Sequence, residues 1–466
     1  LRYFKKAKPC FVFLCSIIGF LSISFTPPLE AAATSYFNHR ASSQYFEPYK
    51  QVERRGDNFE ELILREISAA QSSIHIAIHE IRIPSIARAL ARRHFQGVRV
   101  AIVIEDSYNN SLQEIISDYS KKKINAEQFA RYRDYLKLAD RNQDFDIDED
   151  EALQWDAVAI LRQSGIPLKD DRADGSLGSG LMHHKFMVID EKRTLVTSAN
   201  WTLSDIHGDL DEPASRGNSN ALVIIDSPGL AQAFMQEWEI MFGASSDELI
   251  PPPGPRFGVK KPHRTSRFIP LSSQTRVAPL FSPTSRSLPW AQSTNGVIAK
   301  FLSSAKKSVL GALFVFSEQA LADALLTAHD STSPLIKILV ERKFAFQNYS
   351  EVLDLLGLEM LSAECELQAG NNPWWNPIET AGTVRMPKGD LLHHKFAVVD
   401  SRYVIFGSHN WSAAANNTND ENLLIIDSPE VARDFELEFT RLTRFAQWGT
   451  PDHILDTIER RQSDCF

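Results

Sequence analysis

The sequence predicts an α/β protein of two similar lobes, each a mixed β-sheet flanked by helices, related to one another by a pseudo-twofold. Three observations predict it. The 466 residues exceed what one hydrophobic core organises, since domains cluster at roughly 100 to 200 residues. The ten residues 181–190, LMHHKFMVID, return as residues 391–400, LLHHKFAVVD, and such self-similarity marks one unit used twice. In both halves short apolar runs alternate with Ala- and Leu-rich helical patterns, which implies a sheet buried under helices. Hydrophobic residues at 43% and charged residues at 23% are ordinary globular values, and they exclude a largely disordered chain or a polytopic membrane protein. A formal charge of -9 argues against one broad basic surface for duplex DNA, while leaving room for a local basic groove. Four cysteines without a CxxC pair exclude a disulfide-built scaffold and a zinc site.

Residues 1–33 read as a secretory signal peptide. Arg2, Lys5, Lys6 and Lys8 precede an apolar run from Cys10 to Phe25, and Ala31 to Ala33 supply small residues for cleavage. The run is shorter than the ~20 residues that span a bilayer, and Pro27-Pro28 ends it. Export is therefore the expected localisation, secreted or periplasmic. Cleavage removes Cys10 and Cys15, leaving Cys365 and Cys465 as one disulfide or as two separate thiols.

The first lobe is expected over 44–242. Its strands are 73–78 and 98–104, followed by a helical insertion over 109–166, the motif strand at 181–190 and a further strand from 222 leading to Pro228. Residues 243–272 hold Pro251 to Pro253, Pro255 and Pro262 with several Lys and Arg, so they read as an exposed connector. The second lobe is expected over 273–448, with strands at 308–313 and 336–340, and a C-terminal tail over 449–466 follows.

Each repeat carries His-x-Lys, four residues, Asp, then Ser-x-Asn. On a strand, positions i and i+2 share a face, so His183 and Lys185 point one way, as do His393 and Lys395. His184 and His394 point to the other side and read as structural. This pattern resembles the phospholipase D superfamily, whose signature is the twice-occurring HxKx4D motif followed by a Gly/Ser-Ser-x-Asn turn. The resemblance implies that both lobes form one active site at their interface. It makes His183 the nucleophile and His393 the general acid. Lys185, Lys395, Asn200 and Asn410 would hold the phosphate oxygens, with Ser198 and Ser408 assisting. Asp190 and Asp400 would position their strands. These residue types suit a phosphodiester, because lysines and amides offset its charge in the transition state, one imidazole attacks phosphorus and the other protonates the leaving alcohol. No metal is required by such a route. Aligning the segments that end in Ile-Ile-Asp-Ser-Pro sets Glu421 opposite Asn220. The expectation is that Glu421 orients His393 and Asn220 orients His183, which fixes each tautomer. Thr197 stands where the first turn usually has glycine.

Within the insertion, Asp140, Asn142, Asp144, Asp146, Asp148 and Glu151 fall at loop positions 1, 3, 5, 7, 9 and 12, with Ile147 at the apolar position 8. This looks like an EF-hand loop, with Phe145 in place of its glycine. Calcium is a candidate structural or regulatory ion there, with Asp140, Asn142, Asp144, Asp146 and Glu151 as ligands. The expected substrate is a phospholipid head group or a nucleic-acid phosphodiester, the former slightly favoured, with transient membrane contact and no obligate protein partner. The alternatives are a secreted metal-independent nuclease and a non-catalytic calcium-dependent membrane-binding protein. Trp374-Trp375 reads as a base-stacking surface, a lipid-facing tip or core.

Overall fold

The computed structural model describes residues 33–244 and 254–465, apart from positions 177, 179 and 286. The leader, but for Ala33, lies outside the described residues. Among these, no helix is long and apolar enough to cross a membrane.

The first sheet has seven strands in the order Ala33–Phe37, Ala221–Asp226, Arg193–Thr197, Lys185–Ile189, Ser73–Ile78, Arg99–Ile104 and Leu168–Asp170. The last three run parallel and the other neighbours antiparallel. The second sheet repeats that order with Arg276–Ser282, Glu421–Asp427, Tyr403–Gly407, Lys395–Val399, Ser308–Leu313, Leu335–Val340 and Ala381–Val384. It adds Ile269–Pro270 at one edge and Ala446–Trp448 at the other. The first sheet thus includes Ala33–Phe37, which precedes residue 44. Ala33–Phe37 is the counterpart of Arg276–Ser282, but its small and polar residues blend into the Ala-rich stretch before it.

The motif strands show why both sheet faces are apolar. Phe186 and Val188 enter a core shared by the two lobes, while Met187 and Ile189 enter the first lobe's outer core. Phe396 and Val398 enter the same shared core, and Ala397 and Val399 the second lobe's outer core. Helices Pro228–Phe242 and Pro429–Thr443 lie in the shared layer, each following the Asp-Ser-Pro turn, where Ser227 or Ser428 caps the helix and Pro sits in its first turn. Each crosses to the other lobe: Phe234 packs edge-on against Phe281, and Phe435 against Phe37, both at 5.0 Å between ring centroids. Burying each ring contributes roughly 1.5 to 3 kcal/mol, so the lobes are held together by reciprocal aromatic contacts.

The connector is not simply exposed. Phe257 is buried in the shared core, and the Lys261 ammonium is buried between Glu237 of the first lobe and Asp420 of the second, 2.7 Å from the latter. It also donates to the Ser282 carbonyl. Burial alone would lower the Lys261 pKa, but Asp420 and Glu237 outweigh it and raise it. Proline content signalled exposure, whereas buried carboxylates on both lobes needed a countercharge. The C-terminal tail is a helix, Asp452–Cys465, joined by a disulfide from Cys465 to Cys365.

The insertion forms five short helices between Leu112 and Gln163, with a small core including Leu112, Ile115, Tyr132, Tyr135 and Ile147. Leu203 joins that core from the main lobe, so the insertion leans on the segment just after Asn200.

Candidate active site

The two motif strands meet through reciprocal bridges. Met182 pairs with Asp420 and Leu392 with Ser219. The His183 N–H donates to the Asp420 carbonyl at 2.9 Å, and the His393 N–H donates to the Ser219 carbonyl at 3.1 Å. Each motif therefore lies against the residue just before the other lobe's orienting side chain. The pairing is crossed: His183 Nδ1 is 2.7 Å from Glu421 Oε2, and His393 Nδ1 is 3.0 Å from Asn220 Oδ1. This reverses the expected assignment of Glu421 to His393 and Asn220 to His183. Alignment of the two repeats puts equivalent residues side by side in sequence, but the bridges between lobes decide which ring each one reaches.

With Nδ1 held, Nε2 of each ring is left for chemistry. The Lys185 and Lys395 ammonium groups donate to the carbonyls of His183 and His393, at 2.9 and 2.8 Å. Both are buried. Burial lowers the Lys185 pKa to about 8, against the opposing pull of Glu421 and Asp205. Burial and then Lys185 bring Lys395 to about 7. Burial, followed by the two lysines, holds His183 and His393 well below the usual imidazole value. A resting neutral imidazole is what nucleophilic attack requires, and an arriving phosphodiester supplies the negative charge these cations lack.

Ser198 and Ser408 do not face an open phosphate position. Ser198 donates to Asn220 Oδ1 at 2.8 Å and Ser408 to Glu421 Oε2 at 2.7 Å, so each braces the side chain that orients the other lobe's histidine. Asn200 and Asn410 each keep a buried amide oxygen without a hydrogen-bond partner. Only the Nδ2 end of an amide donates, so either side chain would hold a phosphate oxygen through that end. Asp190 and Asp400 stand apart from the reaction. Each follows its motif strand in a left-handed conformation and accepts from the turn that enters the strand paired with it in its own sheet: Asp190 from Gln71, Ser72 and Ser73, and Asp400 from Lys306, Lys307 and Ser308. Four residues lie between each of them and its lysine, a span of about 17 Å along the strand. Each carboxylate ties the end of its motif strand to the turn that enters the neighbouring strand.

His184 and His394 are fully buried on the opposite side, 3.2 Å from Glu237 and 2.9 Å from Glu438. Thr197 fills its turn by donating to the Ala221 carbonyl and accepting from the Ala199 N–H. In the second lobe a Cβ at Gly407 would lie 2.2 Å from the Asn422 carbonyl oxygen, so that position needs glycine.

Several contributors were not recognised in the sequence. Glu105 and Glu341, at matching strand ends, accept from the Met182 and Leu392 N–H groups at 2.6 and 2.7 Å and so fix the entry to each motif. Burial pushes Glu105 up to about 8, with Asp171 adding to it. The walls beside the histidines also differ. The His79 ring lies 4.7 Å from His183, and Tyr108, bonded to Arg131 of the insertion, lies 4.8 Å from His79. Beside His393 the corresponding place is taken by Phe314 at 4.7 Å, backed by Phe344 at 5.0 Å. Trp374 is core, stacked on His329, whereas Trp375 is 99% exposed.

The acidic loop makes the turn its sequence lacks a glycine for, because Phe145 itself takes φ 63°. Asp144 N donates to the Asp140 and Asn142 side chains, and Asp146 N to Asp144. Glu151 accepts from Arg141 N. The oxygen-only donor set suits a hard cation such as calcium. Among the described residues, the acidic groups gathered within 4.8 Å of one another are Glu105, Asp106 and Asp171, and none belongs to this loop.

Two lobes with paired histidines and lysines at their junction define a phosphodiesterase of the phospholipase D superfamily. The chain belongs to the family described as "Cardiolipin synthase, PLD-like domain", whose model matches residues 63–242 and 298–443. It is 29% identical over 188 residues to a protein named mitochondrial cardiolipin hydrolase from Xenopus tropicalis, covering 39% of this chain and 78% of that one. It is 25% identical over 163 residues to a protein named phospholipase D from Rickettsia bellii (strain RML369-C), covering 35% and 67%. The solved phosphatidylserine synthase of Haemophilus influenzae Rd KW20 shares the fold, with a TM-score of 0.51 at 14% identity over 87% of this chain and 92% of that one.

Proposed function

We propose that this protein is an exported phosphodiesterase that hydrolyses a phospholipid head group through a covalent phosphohistidine on His183. The crossed pairing carries the reading. The Glu421 carboxylate bonded to His183 Nδ1 makes Nε2 the stronger nucleophile, while His393 Nδ1 is held by the Asn220 amide, which fixes its tautomer and leaves Nε2 to exchange the proton. His183 Nε2 attacks phosphorus as the phosphorus–oxygen bond to the leaving alcohol breaks, and the His393 imidazolium gives that oxygen its proton. Neutral His393 then takes a proton from water, the water oxygen bonds to phosphorus, and the phosphorus–nitrogen bond breaks. Lys185, Lys395, Asn200 and Asn410 stabilise the charge that builds on the phosphoryl oxygens. No step calls for a metal.

The names of the relatives and the apolar Phe314–Phe344 wall support a lipid substrate. The disulfide supports an oxidising compartment, in keeping with the leader. A metal-independent nuclease is the second reading, favoured by the His79–Tyr108–Arg131 wall, where rings and a guanidinium suit a base and its neighbouring phosphate. The acidic loop is read as a calcium site that takes no part in this chemistry. The test offers phosphatidylcholine, cardiolipin and single-stranded DNA side by side in EDTA, with His183→Ala as control. Consumption of lipid by the wild type alone is expected. Consumption of DNA only sinks the lipid reading, and loss of all activity in EDTA sinks the metal-free route.

A further inference from the structure

The two lobes treat their histidines unequally, and the inequality is repaired by a residue outside the motifs. In the second lobe, Glu421 Oε2 meets His183 Nδ1 and Ser408, while its Oε1 accepts from Asn419 Nδ2 at 3.3 Å. In the first lobe, Asn220 Oδ1 meets His393 Nδ1 and Ser198. The counterpart of Asn419 is Asn218, and its Nδ2 donates at 2.6 Å to Asp205 Oδ1. That oxygen lies 3.6 Å from His393 Nδ1, and Asp205 is 2% exposed. The roles of one glutamate are thus divided between an amide oxygen and an aspartate brought in from the helical turn Leu203–Ile206. The repeat alignment shows the matching exchange, because Asp205 faces Ala415 where Asn220 faces Glu421. Asn220 cannot supply charge, since its Nδ2 donates to the Asp205 and Asn218 carbonyls and its Oδ1 faces the ring. The amide fixes the His393 tautomer and the aspartate provides the countercharge.

We propose that Asp205 is a positioning residue that stabilises the His393 imidazolium when it forms, and so favours the proton-donating form of the general acid of the proposed phosphodiesterase. The proposal rests on that functional reading. His393 is surrounded by Lys395 and His394 on its own strand, Lys185 and His183 on the opposite strand and the Phe314 ring. Lys395 and Lys185 oppose a positive charge on this ring, and Asp205 is the carboxylate 3.6 Å from its Nδ1. An opposite charge at this range shifts a pKa by about 1 to 3 units.

Two probes separate the acid from the rest of the site. Bis(p-nitrophenyl) phosphate expels p-nitrophenolate without needing a proton, whereas diphenyl phosphate expels a phenolate that does. Asp205 Oδ2 also accepts from the Asn200 N–H at 2.7 Å, so Asp205→Ala is expected to slow both diesters, with diphenyl phosphate losing about 10- to 100-fold more than bis(p-nitrophenyl) phosphate. The alkaline limb of kcat/KM should move to lower pH by about one unit or more, because His393 loses its proton earlier. Asp205→Ala combined with Asn220→Glu reproduces the second-lobe arrangement and should restore much of the lost rate. Equal loss on both diesters with unmoved limbs makes Asp205 merely structural and overturns the proposal, as does a folded double variant no faster than the single one. A wild type inactive on both diesters overturns the phosphodiesterase reading and this proposal with it. If the double variant fails to fold, the leaving-group contrast of Asp205→Ala alone decides.

Discussion

Glu421→Gln is the sharpest perturbation of the crossed pairing, because it keeps size and hydrogen bonding while removing the charge 2.7 Å from His183 Nδ1. Both groups are buried. Attack on phosphorus leaves positive charge on the His183 ring, and a carboxylate at this distance favours that charge by about 1 to 3 pKa units, or roughly 1.4 to 4 kcal/mol. Loss of that stabilisation in the transition state corresponds to a fall of about 10- to 1000-fold in kcat/KM. The assay is steady-state hydrolysis of bis(p-nitrophenyl) phosphate and diphenyl phosphate across pH. Because the nucleophile serves both diesters, both should slow to a similar extent. The acidic limb should move to lower pH, since His183 must be neutral to attack and the variant's imidazole sheds its proton at a lower pH. A loss confined to diphenyl phosphate would return Glu421 to the general acid and refute the crossed assignment, and so would a loss under about threefold on both.

Replacing Lys261 with Met leaves Glu237 and Asp420 buried without their shared cation, although Arg264 still reaches Glu237 at 3.0 Å. Urea unfolding should show a loss of about 3 kcal/mol, and a loss under 1 kcal/mol would deny the connector its locking role. Cys365→Ser with Cys465→Ser opens a link spanning 100 residues and should cost about 2 to 4 kcal/mol, read as a lower melting temperature with unchanged kcat; an unchanged melting temperature contradicts it. Calorimetric titration with calcium should give a measurable heat and a raised melting temperature without altering the diesterase rate in EDTA controls. Absence of both responses removes the acidic loop as a calcium site.

The parts of the molecule that repeat were legible in the sequence, because each motif strand carries its chemistry on one face and its packing on the other. His183 with Lys185, and His393 with Lys395, occupy the shared junction, and the buried roles of His184 and His394 follow from the same alternation. Legibility failed where one lobe reaches into the other. The partners of His183 and His393 depend on the bridges at Asp420 and Ser219, which no local pattern records. Lys261 looked like part of an exposed proline-rich run because its two carboxylates lie on different lobes, far off in the chain. Asp205 left a trace, an aspartate opposite Ala415, but its meaning required seeing Asn218 and Asn419 in equivalent places. Ala33–Phe37 was hidden by the small residues that also suit a cleavage site.

The central claim is that one site, assembled across the lobes, uses His183 as nucleophile and His393 as acid and base. His393→Ala given bis(p-nitrophenyl) phosphate tests it most directly, since the first step needs no acid and the second stalls without a base. Rapid quenching should show one burst of p-nitrophenolate per chain, and mass spectrometry at alkaline pH should find the phosphoryl adduct on His183. An adduct on His393 in the reciprocal His183→Ala variant, or a His393→Ala variant that gives no burst and no adduct, would contradict the account.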